Sequence, residues 1–134
     1  MVKNKKMIII LAVIIVIGIG IFIFKNNHEP DIQYVKISAR EAKEIIDNKS
    51  NIIIIDVRRE DEYQTGHIED AICIPNEVIS NQAESLLPDK EQEILVYCRS
   101  GNRSSQAVNK LLDLGYTNVK DFGGILDWPY KITK

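Results

Sequence analysis

The chain has 134 residues, room for one domain and little more. Its 17 basic and 19 acidic residues give a formal charge of −2. Residues 1–25 hold four of the basic ones and no acidic one, so the rest of the chain stands at −6. That balance argues against nucleic acid as the main partner. Two cysteines cannot make a disulfide framework, and no Cys and His cluster has ligand spacing, so neither a metal nor an organic cofactor is expected.

Met7 to Phe24 is an uncharged run of mostly Ile and Val, preceded by Lys3, Lys5 and Lys6 and followed by Lys25. As a helix it would span about 27 Å, close to the ~30 Å hydrocarbon core of a bilayer. A buried core helix should show a polar face, and this run has none. A cleaved signal peptide should end in small residues, whereas this one ends Phe22-Ile23-Phe24-Lys25. The expectation is an uncleaved single-pass anchor over residues 7–24, behind a basic cytoplasmic N-terminus (residues 1–6). The lysine asymmetry places the remaining domain on the extracytoplasmic side. Residues 25–32, with His28 and Pro30, read as a polar linker, and His28 as a solvated side chain. Residues 33–134 form the soluble domain, expected to be a monomer.

That domain alternates strand and helix signals. Gln33 to Ile37 reads as a strand, and Ser38-Ala39-Arg40-Glu41 as a capping box opening a helix. Ile52 to Ile55 is a continuous β-branched run, the pattern of a strand buried on both faces of a parallel sheet; it leads into Asp56-Val57-Arg58. Glu60 to Gln64 suits a short helix, with Glu60, Asp61 and Glu62 as a solvated start. Ala71 to Ile74 reads as a strand, and Asn76 to Leu87 as a helix ended by Pro88. Ile94 to Tyr97 is the strand before Cys98, Gln106 to Leu114 a helix stopped by Gly115, and Val119 to Phe122 a last strand. Alternation of this kind predicts an α/β fold of three layers, with a mostly parallel central sheet covered by helices on both faces. Ligands of such sheets bind beyond the carboxyl ends of the strands, where Cys98, Asp56 and Arg58 all fall.

Cys98-Arg99-Ser100-Gly101-Asn102-Arg103-Ser104 therefore lies between a strand and a helix. Strand, tight loop and helix aim backbone N–H groups and the positive end of a helix at whatever occupies the loop. A thiol placed there beside two arginines should favour its thiolate, the nucleophilic form. An inert buried cysteine is the competing reading, disfavoured by the polar, basic surroundings. Cys73, between Ile72 and Ile74, reads the other way, as a packing residue rather than a resolving partner of Cys98. Asp56 and Arg58 suit a supporting role, fixing turns by charge-assisted bonds. His67 suits local hydrogen bonding, and Trp128 the core.

Asp56-Val57-Arg58, Glu62-Tyr63, Gly66-His67-Ile68, Ala71, Ile74-Pro75, Tyr97 to Ser104, and Gly123-Gly124 with Trp128 together resemble a single rhodanese domain, over about Val35 to Trp128. The resemblance implies a rhodanese-like fold and sulfurtransferase chemistry. Cys98 would take the outer sulfur of a donor such as thiosulfate, hold it as a persulfide, and pass it to a thiol or to cyanide. The backbone of Arg99, Ser100, Gly101, Asn102, Arg103 and Ser104 would cradle the anion, and Arg99 or Arg103 would bind the donor. Which arginine does so stays open. Cysteine phosphatases resemble Cys-x5-Arg and need a general acid. Here Cys98 to Arg103 is one residue shorter, and the loop holds no aspartate. An arsenate reductase would want a second loop cysteine. The other reading from a different class is a membrane-tethered binding or regulatory module without turnover. Outside the membrane an accessible Cys98 would also call for a reducing thiol partner at the cell surface or an anaerobic setting.

Overall fold

A computed structural model describes residues 2–26 and 32–134. The polar linker and His28 lie largely outside the described residues. Two separate units result. The first is a helix, α1 (Val2–Asn26); its stretch Lys3–Phe22 has mean hydropathy 2.6 and no part buried within the protein. By length and composition it could cross a membrane, and a signal sequence would meet the same criteria.

The second unit, Ile32–Lys134, is built on five parallel strands: β1 (Val35–Lys36), β2 (Ile52–Asp56), β3 (Ile72–Cys73), β4 (Glu93–Cys98) and β5 (Val119–Gly124). Their order across the sheet is β1-β5-β4-β2-β3. Every pairing is parallel, which requires a crossover between successive strands. Four helices connect them: α2 (Ala39–Asn48), α3 (Glu60–Thr65), α4 (Ile79–Leu86) and α5 (Asn102–Asp113).

Strand periodicity sorts the core into two layers. On one face Ile53, Ile55, Ile94, Val96, Cys98 and Val119 pack against Ile79 and Ala83 of α4 and Ala107, Val108 and Leu111 of α5. On the other face Ile52, Ile54, Leu95, Tyr97 and Phe122 pack against Ala42 of α2, Tyr63 of α3 and Trp128. Every residue of β4 is buried, as a central strand covered on both sides must be. The α/β, three-layer, parallel-sheet expectation holds.

Local signals located most elements. Ser38 caps α2 as the sequence predicts: its Oγ accepts from Glu41 N–H, and the Glu41 carboxylate accepts from Ser38 N–H at 2.7 Å. Two boundaries differ by three residues or more, and several others by one or two. The helix expected from Asn76 starts at Ile79, because Pro75–Val78 closes as a turn through Val78 N–H to the Pro75 carbonyl. Asn76 is held there by long-range bonds: Val57 O accepts its N–H, Gln106 accepts from its amide, and Lys110 Nζ donates to its carbonyl. The helix expected from Gln106 starts four residues earlier, at Asn102. Four residues expected in the loop, Asn102 to Ser105, thereby become helical.

Candidate active site

Cys98 is the last residue of β4, and only Arg99, Ser100 and Gly101 separate it from α5. So short a link needs a residue with positive φ, and Gly101 supplies it at +104°, directly before the helix. This aims the Gly101 N–H back at Cys98, where it donates to Sγ at 3.0 Å. No side chain caps the N-terminus of α5. Asn102, Arg103 and Ser104 are its first turn, whose N–H groups find no acceptor within a helix. Ser104 is buried and turns its hydroxyl away, donating to the Gly101 and Gly123 carbonyls at 3.0 and 3.2 Å. Of the loop residues read from the sequence, Gly101 is the one whose N–H meets the sulfur, while Ser104 braces the loop.

The thiol is not open to solvent. Cys98 is 1% exposed, and its side chain belongs to the apolar layer beneath α4 and α5. Cys98 ends a central strand on the face that α4 and α5 cover. The accessible cysteine of the sequence reading is therefore corrected to a sheltered one.

The two loop arginines part company. Arg99 is exposed, and among the described residues its guanidinium has no hydrogen-bond or ion-pair partner. Arg103 is half-buried and makes a forked pair with Glu62 of α3, at 2.7 and 2.9 Å. This bond holds the Glu62 carboxyl well below the usual range, at about 2, and raises Arg103 in return. Glu62 also accepts from the Arg59 N–H at 3.1 Å, closing the start of α3. The solvated acidic run expected from the sequence is corrected at this residue. Only Asp61 of the three makes a wholly exposed ion pair, with Arg59. No local pattern could have shown the Glu62–Arg103 pair, since 41 residues separate its members.

Asp56 and Arg58 meet each other, not the thiol. The Asp56 carboxylate accepts from Arg58 Nε at 3.0 Å and Nη2 at 2.7 Å, and both residues are buried. Arg58 also donates to the Gly66 carbonyl at 2.7 Å, which pins the turn before Ile68. Ile68 N–H in turn donates to the Tyr97 hydroxyl at 3.0 Å. Alternation puts Tyr97 on the α2 and α3 side of the sheet and Cys98 on the other. The pair thus braces the strand behind the cysteine.

His67 stacks on Tyr63 with ring centroids 3.7 Å apart, and its Nδ1 lies 3.0 Å from the Tyr63 carbonyl, a local role as expected. Trp128 is buried beside Phe122 and Tyr130, also as expected. Cys73 pairs in register with Asp56, and Asp56 with Tyr97, so two strand spacings separate β3 from β4. At about 4.8 Å each, that is ~10 Å, beyond the ~7 Å limit of a disulfide. Burial, with Glu60 alongside, pushes the Cys73 thiol up to about 12, so it stays protonated. Cys73 is no resolving partner for Cys98.

One further residue shapes the loop. At Gly124 an added Cβ would lie 2.1 Å from the Arg99 carbonyl oxygen and 2.6 Å from Ser100 N. Here β5 carries an extra residue opposite β4, and its end presses on the cysteine loop. Gly124→Ala is expected to displace Arg99 and Ser100 and cost about 1–3 kcal/mol, the usual toll of overpacking. Urea unfolding followed by the fluorescence of Trp128, the single tryptophan, measures that cost in the full chain. An unchanged midpoint contradicts the close approach.

Comparison with known proteins gives a consistent picture. Residues 38–130 match the family model described as a rhodanese-like domain. The chain is 40% identical over 73 residues to the thiosulfate sulfurtransferase PspE of Escherichia coli, covering 54% of this chain and 70% of that one. It is 34% identical over 112 residues to the adenylyltransferase and sulfurtransferase UBA4 of Candida albicans, covering 79% of this chain. The chain spans only 26% of the length of the Candida protein. Among solved structures, a rhodanese with anions from E. coli superposes with TM-score 0.58 at 36% identity, over 61% of this chain and 96% of that one.

Proposed function

The chain belongs to the family of rhodanese-like domains, and from that premise we propose that it is a sulfurtransferase working through a persulfide on Cys98. The observation that carries this reading is the Gly101 N–H aimed at Cys98 Sγ from an uncapped helix start. A sulfur anion held there needs donors that lie in place beforehand and do not give up protons.

In the first step the Cys98 thiolate attacks the outer sulfur of thiosulfate. The S–S bond of the donor breaks, its electron pair leaves with sulfite, and Cys98 becomes Cys–S–S⁻. In the second step an acceptor thiolate, or cyanide, attacks the terminal sulfur. The new bond forms on the acceptor, and the Cys98 thiolate is regenerated. No net oxidation occurs and no proton need move, which suits a site where a backbone N–H, that of Gly101, donates to the sulfur. Splitting the transfer in two lets a single narrow site serve donor and acceptor in turn.

The reading extends to the whole chain. Residues 7–24 of α1 anchor it in the cell membrane as a single pass, and the sheet domain works as a monomer on the extracytoplasmic side. The apolar length of α1 and the lysines ahead of it support this. A small sulfur-bearing anion and a thiol acceptor are the partners.

The test is intact mass of the full chain in detergent micelles after thiosulfate alone. The expected result is a gain of one sulfur atom, reversed by cyanide with release of thiocyanate. A folded protein that gains no mass from thiosulfate or other sulfane donors overturns the reading in favour of a membrane-tethered binding module.

A further inference from the structure

The sequence presents two loop arginines as equivalent donor binders, but the fold spends one of them. Arg103 is engaged by Glu62 through two bonds at 2.7 and 2.9 Å, with both side chains largely sheltered, at 25% and 19% exposure. Arg103 sits in the first turn of α5, two residues beyond Gly101, whose N–H donates to Cys98 Sγ, so the pair borders the cysteine loop. Of the other charges close to the pair, Arg59 is matched by Asp61 in a two-bond contact of its own. Arg99 alone remains uncompensated among the described loop residues. Glu62 holds its charge down to about pH 2, so the pairing persists over any working range.

Forked arginine–carboxylate pairs compete directly with forked binding of a sulfonate or sulfate group, since both use the same N–H edge. A dianionic donor such as thiosulfate must then displace Glu62 or bind with one arginine and endure the Glu62 charge. A donor with one charge meets less of that repulsion.

We propose that Glu62 is the specificity-determining residue of this site, neutralising Arg103 so that monoanionic sulfane donors are used in preference to dianions. This rests on the sulfurtransferase reading above. Glu62 acts through Arg103 and is a positioning residue.

The experiment compares two donors of matched shape in the full chain in micelles, with cyanide as acceptor. Thiosulfate is a dianion and releases sulfite. Methanethiosulfonate carries a methyl group in place of one charged oxygen and releases methanesulfinate, with the same bond broken. The wild type is expected to favour methanethiosulfonate in kcat/KM. Glu62→Gln should raise kcat/KM for thiosulfate about tenfold, through KM rather than kcat, and for methanethiosulfonate only about threefold, because the repulsion scales with the donor's charge. Added salt should erode that gain. Glu62→Asp, which keeps the charge, should keep the wild-type preference. If Glu62→Gln is folded and turns over but the donor ratio does not move, the inference is wrong.

A wild type that transfers no sulfur from either donor defeats the sulfurtransferase reading instead. Calorimetry then decides the charge question without turnover. Sulfate should bind Cys98→Ser/Glu62→Gln about tenfold more tightly than Cys98→Ser, and methanesulfonate only about threefold more tightly. Equal sulfate affinities overturn the inference.

Discussion

Replacing Cys98 by serine is expected to abolish both sulfur loading and turnover, a loss of about a thousandfold or more against the wild type. The site offers no substitute nucleophile. The buried Ser104 hydroxyl is already engaged with the Gly101 and Gly123 carbonyls. Cys73 lies on the opposite face of the sheet, with a thiol pushed up to about 12 by burial and the neighbouring Glu60. A serine at position 98 would still fill the small buried space at the end of β4, so the fold should persist. Intact mass after thiosulfate and thiocyanate release are the measurements. Cys73→Ser is the control, expected to load and turn over. Sulfur gained by Cys98→Ser would place the carrier elsewhere and sink the mechanism.

The largest effect on stability should come from breaking the Asp56–Arg58 pair. Both residues are at least nine-tenths buried, and their contact is two-pronged. Arg58→Met leaves the Asp56 charge in an apolar layer and frees the Gly66 carbonyl, so it should cost about 3–5 kcal/mol. A domain of this size has ~5–15 kcal/mol in all, so the variant stands near the edge of folding. Asp56→Asn should cost a comparable amount by stranding the guanidinium. The double variant should lose much less than the sum, because neither residue then leaves a buried charge. Urea unfolding of the full chain, read by Trp128 fluorescence, gives all three values. Additive losses would show that the two residues act independently, against the geometry seen.

The same pair illustrates how far the sequence could be read. Motif order brought Asp56, Arg58 and Cys98 to the carboxyl end of the sheet, and all three are there. Only strand alternation in the folded sheet separates them, with Cys98 toward α4 and α5 and the ion pair behind Tyr97. A period of two is exact within a strand, but the motif does not say where each strand's count begins.

By itself the sequence determined whatever depends on near neighbours. The β-branched run of Ile52 to Ile55 became a buried parallel strand, the Ser38 to Glu41 box capped its helix, and Gly101 made the turn after the cysteine. These are local free energies of backbone and side chain, legible within a few residues. Tertiary structure alone decided the rest. The burial of Cys98, the contact of Gly124 with the Arg99 carbonyl, and the engagement of Arg103 by Glu62 all join residues from different strands and helices. An arginine in a sequence is a charge available to any anion. Folding places a carboxylate against it at hydrogen-bond distance, and the choice of partner belongs to the packing of α3 on the sheet, not to the loop that carries the arginine.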